Sequence, residues 1–510
     1  MVLAHHSCQL LKYFSILVAT FVIGWYLFSD RDYHHSLQLA VKGKKGIFVE
    51  KALRTDIDGP YDNSSLISFC DRTKWREGLI FQCEAPYGGV ANIRNIALNC
   101  FRYALEAGVL KLMLLATAIV MPEIKLWTPP LDKPDSGHDL EKRKKENVAH
   151  VPFSHLFDLD FFQTSLSSAC PRIKFIPHAN DLYAAPSTQP HSLDPGSLLE
   201  DKLPQPFESL LAYPQAWASN FTLWLNATQP SFSSQAPVRI TIQPSLLHWP
   251  LNHDSPHFVA HFGRLVRPTL EIRTLASTVL HSLSQRYNLD LDPEQGIQAN
   301  KFYGAHLRTS EDAKAAGWTP FEVQTRNYLQ AAKHNGLSLI YLVSASEEDI
   351  QRFILHAQNY TTRPITVTTA RSLLPPSSLK LHTHLSPAQR SLIDHEVLLQ
   401  SSIFGGTLES SFSWSVALRR HIVWGNGTWI PQIDDFTWDR GRSGRGKKVG
   451  NIGGPVGGYG GGGFQSFRDG AAGSGKERQG EGREGAGGYG LSVVFGHPWK
   501  AQEWERGLWP

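Results

Sequence analysis

The segment that most constrains this chain's fold is EGLIFQCEAPYGGVANIRNIALNCFRYALEAG, residues 77–108. Leu79 to Cys83 read as a strand and Ala85 to Gly89 as a tight turn. Ile93, Ile96, Ala97, Cys100, Phe101, Ala104 and Leu105 then mark one helical face that Gly108 ends. A strand turning directly into a helix packs that helix back on its own sheet, which commits the segment to an α/β layer. It also aims the helix's free N–H groups and positive dipole end at the glycines, an arrangement that suits a phosphate or another anion. Any tight turn can use the same glycines, so the loop becomes informative only in company.

The same alternation returns after residue 256. An amphipathic pattern runs from Leu265 to Tyr287, a strand precedes His306, a second strand covers 337–345, and a helix runs from Ser346 to about His356. RPITVTTA offers another strand, residues 388–402 a helix, IFGGTLE a short strand, and Ser411 to Arg420 a helix. Met113 to Val120 can be strand or helix. The expected architecture is α/β, with two domains of parallel strands facing one cleft. The boundaries fall at 77–255 for the amino-terminal domain with its loop insertions and 256–438 for the carboxy-terminal domain. Residues 128–148 and 183–207 are Pro-rich and polar; the first reads as an exposed loop and the second as the weakest joint. Residues 30–76 read as a stem. From 439 to 510 the text is Gly-rich and basic, and is expected to be a disordered tail.

The chain's 510 residues exceed one small core, and 41% hydrophobic with 19% charged residues is ordinary for a globular protein. A net charge of +4 gives no argument for nucleic acid or acidic substrates. The uncharged run YFSILVATFVIGWYLF, with no small-residue cleavage site after it, reads as a transmembrane signal anchor over 13–29. Residues 1–12 would then be a cytosolic tail and the body would lie in the lumen of the endoplasmic reticulum or Golgi. Cys70, Cys83, Cys100 and Cys170 follow the run, an even number open to three pairings, while Cys8 precedes it. Sequons for N-glycosylation at Asn63, Asn220, Asn226, Asn359 and Asn426 lie on the same side.

Three further segments carry chemistry. In FYGAHLRTSEDA, residues 302–313, a strand ends on His306 and Arg308, at the sheet edge where ligands bind. Arg308 can grip a diphosphate with its planar fork, or simply pair with Asp312 at a helix start. In LFDLDFF, alternation puts Asp158 and Asp160 on one strand face, where they can hold a metal, cap a helix or pair with an arginine. In LESSFSWSVALRRH, Ser410, Ser411 and Ser413 open a helix whose amino end offers donors to an anion.

In their order, GGVANIR, LFDLDFF, FYGAHLRTSED and ESSFSWSVALRRH resemble the GDP-fucose protein O-fucosyltransferase superfamily, especially its plant-like and fungal branches. The resemblance spans roughly residues 78–425 in short islands. It implies two Rossmann-like domains of GT-B type with GDP-fucose between them, and transfer of fucose to a protein or glycan hydroxyl with inversion. By that resemblance Arg308 holds the β-phosphate and stabilises the leaving GDP, with Asp312 beside it in the catalytic group. Gly88, Gly89, Asn92 and Arg94 lie near sugar and acceptor, and His306 supports the loop. Ser410, Ser411 and Phe412 contact phosphate and nucleoside, and Asp394 hydrogen-bonds guanine. Ala91, Ile93, Ser310 and Phe161 stand where the family has polar residues. Glu84, Glu311 and Asp312 are the candidates for a general base by position. No metal or other cofactor is required, and the partners are the nucleotide-sugar donor, a protein or glycan acceptor and a membrane. The same fold working on another nucleotide sugar, or a silent membrane-anchored binding protein, are the alternatives.

Overall fold

The computed structural model describes residues 43–108, 118–127, 148–177, 190–199, 208–230, 237–360, 364–424, 429–432, 492–495 and 501–510, with a few single positions between them. The expected cytosolic tail and anchor lie outside the described residues, as does most of the loop expected over 128–148. Among the described residues no helix is long and apolar enough to cross a membrane.

Two parallel sheets organise the chain. The first contains β1 (Leu79–Cys83), β2 (Ala118–Val120), β5 (Lys174–Ile176), β6 (His191–Leu193) and β7 (Val238–Ile242), in the order β5-β2-β1-β7-β6. The second contains β8 (Tyr303–Leu307), β9 (Leu339–Ser344), β10 (Thr366–Thr368), β11 (Ile403–Thr407), β12 (Trp429–Gln432) and β13 (Ser492–Phe495), in the order β10-β9-β8-β11-β13-β12. A separate antiparallel hairpin joins β3 (Glu123–Trp127) to β4 (Val148–Pro152). Parallel strands covered by helices on both faces need no polar side, which is why β8 and β11 are buried at every position. Gly304 is required in β8: a Cβ there would lie 2.8 Å from Leu398 Cδ2 and from Ser401 Oγ, so a side chain would push the helix Pro387–Leu399 off the sheet.

The cysteines resolve as Cys83–Cys100, tying β1 to the helix Val90–Glu106 that follows it, and Cys70–Cys170, tying the helix Ser64–Arg72 to the end of Leu159–Ala169. The amphipathic pattern after Leu265 becomes a helix only at Leu270, because Pro268 precedes the Thr269 cap that accepts from Ile272 N–H.

Three boundary expectations are corrected. The stem expected over 30–76 is folded from residue 43: residues 43–54 form a helix, Lys51 pairs with Glu294 at 2.9 Å, and Leu53 C=O accepts from Arg273 at 2.8 Å. Burial pushes the Asp56 carboxyl up, but Arg419, Arg273 and Arg264 together outweigh it and hold its pKa below the ordinary value. The joint expected over 183–207 contains β6, paired with β7, and a 3-10 turn at Pro195–Leu198 whose last carbonyl accepts from Asn220 at 2.8 Å. The tail expected over 439–510 re-enters the fold: β13 inserts between β11 and β12, and Leu508 and Trp509 are buried. SVVF is a short apolar run that a buried central strand demands, and the glycine-rich text before it hides the signal.

Candidate functional site

The carboxyl ends of both sheets open on one cavity of about 1040 Å³. From the first sheet come Gly88, Gly89 and Asn92; from the second, His306, Arg308, Asp312, Asp394, Ser410, Ser411 and Phe412. Gly88 sits at φ +99°, a backbone setting that side chains rarely adopt, and a Cβ there would come 3.1 Å from Asn92 Nδ2. Gly89 then caps the helix Val90–Glu106, so that helix's first N–H groups face the cavity. The Asn92 Oδ1 is buried and accepts no hydrogen bond among the described residues, an acceptor aimed at something the cavity would hold.

The opposite wall is built on β8. Tyr328 Oη donates to the His306 carbonyl at 2.8 Å, and Gln324 holds both sides of the Arg308 peptide, accepting from its N–H and donating to its C=O, each at 2.9 Å. The backbone that presents Arg308 is therefore clamped by two buried side chains of the helix Phe321–His334. The guanidinium is engaged by the Asp312 carboxylate at 2.7 and 3.2 Å, and lies over the Trp318 ring. Ser310 Oγ also donates to Asp312. The pairing of Arg308 with Asp312 expected from their spacing is thus present, and it stands in the cavity.

His306 is buried, with Nδ1 2.9 Å from Ser413 Oγ and its ring 4.5 Å from that of Phe412. Burial first, and then Arg308 and His395, pull its pKa down to about 3, so it is a neutral prop for the serine-opened helix Ser411–Trp424. Ser410 Oγ accepts from Ser413 N–H at 3.4 Å. Asp394 receives the Tyr341 hydroxyl at 2.5 Å; burial raises its pKa to about 7, against the lowering pull of that bond and of Arg390.

Arg94 corrects the expectation. It does not line the cavity but is buried against main-chain oxygens: Val266 at 3.1 Å, Trp509 at 2.8 Å, and those of Gly263 and Pro510. A buried guanidinium needs acceptors for its N–H groups, and four main-chain oxygens supply them here. Asp158 and Asp160 do not share a strand face either, since LDFFQTSLSSA is a helix. Asp158 caps it, accepting from Phe161 N–H at 3.0 Å, and pairs with Arg267 at 2.8 Å; Arg267 in turn lies 3.4 Å above Phe161. Of the base candidates only Asp312 lines the cavity; Glu84 faces Lys125 and Glu311 pairs with Lys314.

Glu409, Arg371, Arg390 and Trp504 also line the cavity and were not singled out from the sequence. Glu409 accepts from the hydroxyls of Thr407 and Thr319. Arg390, one helical turn before Asp394, was visible as an i,i+4 spacing. Trp504 carried no signal, being beyond the glycine-rich stretch. A second cavity of about 620 Å³, lined by Asp194, His248 and Glu503 among others, holds none of the expected site residues.

No family model matches the sequence, and no curated protein matches it. Among solved structures, the chain is similar to POFUT1 in complex with GDP-fucose, at 11% identity and a TM-score of 0.39, covering 68% of this chain and 95% of that one. It is also similar to POFUT1 in complex with GDP, at 12% identity and a TM-score of 0.38, covering 68% and 96%. A variant of Arabidopsis thaliana FUT1 in complex with GDP gives 13% identity and a TM-score of 0.32, covering 72% and 75%. Those structures hold GDP-fucose or GDP.

Proposed function

We propose that the chain is a glycosyltransferase of GT-B type that transfers fucose from GDP-fucose to a protein or glycan hydroxyl with inversion. One observation carries it: a single cavity brings the Gly88-Gly89 helix start of one sheet against Arg308, Ser410 and Ser411 at the strand ends of the other. Cleaving a sugar–phosphate bond leaves charge on the diphosphate. A fixed arginine and helix N–H groups stabilise that charge as it develops, each such group supplying about 3 kcal/mol. The carboxylate now bound to Arg308 has the bidentate geometry of a phosphate, so a diphosphate of higher charge displaces it. Asp312, released, is a carboxylate at the site of attack. Asn92 Oδ1 offers the sugar or acceptor hydroxyl an acceptor, and Asp394 faces the base.

Two disulfides and the sequons support an oxidising compartment, and the apolar run over 13–29 supports a type II anchor in the endoplasmic reticulum or Golgi membrane. Calorimetry of GDP on the full chain in detergent, followed by GDP release from GDP-fucose, tests the proposal. Binding with release supports it, binding without release makes the chain a silent binding protein, and absence of binding discards the site. A panel of nucleotide sugars tests the choice of fucose.

A further inference from the structure

Away from the cavity, the helix Pro256–Gly263 presents His257 and His261 one turn apart, with their rings 4.5 Å between centroids. Asp62, nearly two hundred positions earlier, meets both: Oδ2 lies 3.1 Å from His257 Nε2, and its own backbone N–H donates to His261 Nδ1 at 3.3 Å. One ligand atom from each of the three lies within 4.8 Å of the others. We infer that Asp62, His257 and His261 form a binding site for a divalent transition metal, of which zinc is the natural occupant.

The chemistry of the donors decides the class. Two imidazoles and one carboxylate suit zinc and its neighbours, whereas magnesium and calcium prefer oxygen ligands throughout. Histidines at i and i+4 on one helix face are spaced to reach one ion. Zinc bonds of about 2.0–2.2 Å require the three atoms to close slightly from their present separations, and the His261 lone pair to exchange the long 3.3 Å bond from the Asp62 N–H for the ion. They have room to do so, since the His257 and Asp62 side chains are 36% and 48% exposed. The same exposure leaves the remaining coordination position to water. A second layer aims the carboxylate: Ser64 donates its N–H to Asp62 Oδ1 at 2.8 Å and its hydroxyl to Oδ2 at 3.0 Å. The charged neighbour on this side is Arg264, and its guanidinium is already engaged by Asp56 at 3.1 Å and lies 3.5 Å from Asp58. An ion here would sit between the His257 ring and the Asp62 carboxylate. It would pin the segment carrying Asp56 and Asp58 to the helix on which they fold, so its role is structural.

The experiment uses the full chain, stripped with chelator and titrated with Zn²⁺ by calorimetry, with bound metal counted after gel filtration. The His257→Ala and Asp62→Asn variants are run alongside; Asn keeps a cap acceptor for Ser64. The wild type is expected to retain one equivalent of zinc more than either variant, and its thermal midpoint is expected to rise with Zn²⁺ where theirs does not. The variants' affinity should fall at least about tenfold. Equal stoichiometry and equal midpoint shifts in all three proteins would overturn the site. So would a Co²⁺-loaded wild type whose visible spectrum matches that of the His257→Ala variant. GDP affinity should be the same with and without zinc, which separates this site from the cavity.

Discussion

Arg94 and Arg308 both follow a strand of a parallel sheet, Arg94 within the helix after β1 and Arg308 directly after β8. Their fates differ. Arg94 is spent on four main-chain oxygens and is out of reach of the cavity, whereas Arg308 keeps a partly exposed fork, 26% of its side chain, held by one carboxylate that a ligand can displace. The difference lies in what arrives from elsewhere in the chain. Residues 263–266 and 509–510 supply Arg94's acceptors, whereas among the described residues Asp312, four residues on, is the acceptor for the Arg308 guanidinium. A motif places a cation at a sheet edge; long-range contacts decide whether it becomes architecture or a site.

Substitutions break that comparison at its ends. Arg94→Ala should cost about 3 kcal/mol or more of stability, because it leaves several buried carbonyls unsatisfied; the shift in urea midpoint measures it. If stability held and GDP affinity collapsed instead, the two arginines would have been assigned the wrong way round. On the carboxy-terminal wall, Asp394 holds a proton up to about pH 7 when folded and loses it near the ordinary 3.8 when unfolded. The folded state therefore binds more protons in that window, and its stability declines as pH rises from about 4 to 7. Asp394→Asn removes this slope. Its stability relative to wild type should improve by about 4 kcal/mol across the window, read from urea unfolding at successive pH values, and stay level above it. Arg308→Ala should weaken GDP binding at least tenfold, about 1.4 kcal/mol, while changing stability by less than about 0.5 kcal/mol, the worth of an exposed i,i+4 pair. Gly88→Ala should be the mildest, about 1 kcal/mol of backbone strain, with a small loss of GDP affinity as Asn92 shifts.

What was legible in the sequence follows the range of the interactions involved. β1 and its helix, β8, β9 and β11 were readable because a buried strand needs consecutive apolar residues and a covering helix needs its own period, both local properties. The pairing of Arg308 with Asp312 was readable for the same reason. LFDLDFF left a metal, a helix cap and an arginine pair open, because alternating Asp and apolar residues fit a strand face as well as a capped helix start; the cap and the pair are what form, with Arg267 more than a hundred residues later. The Asp56 and Asp58 cluster, the clamp on Arg94 and the place of Trp504 were illegible, since each joins parts of the chain hundreds of residues apart.

The position of β13 has a consequence for the chain during its synthesis. β12 pairs with β13, so before residues 492–495 emerge its partner in the sheet is missing, and β11 presents an open edge beside β8. An unpaired edge next to a bare apolar strand is a template for other chains. The sheet that carries Arg308 therefore closes late, after the whole glycine-rich stretch has been made. A ribosome paused within that stretch would hold a nascent chain whose amino-terminal sheet can already be complete, while the sheet that carries Arg308 still has an open edge.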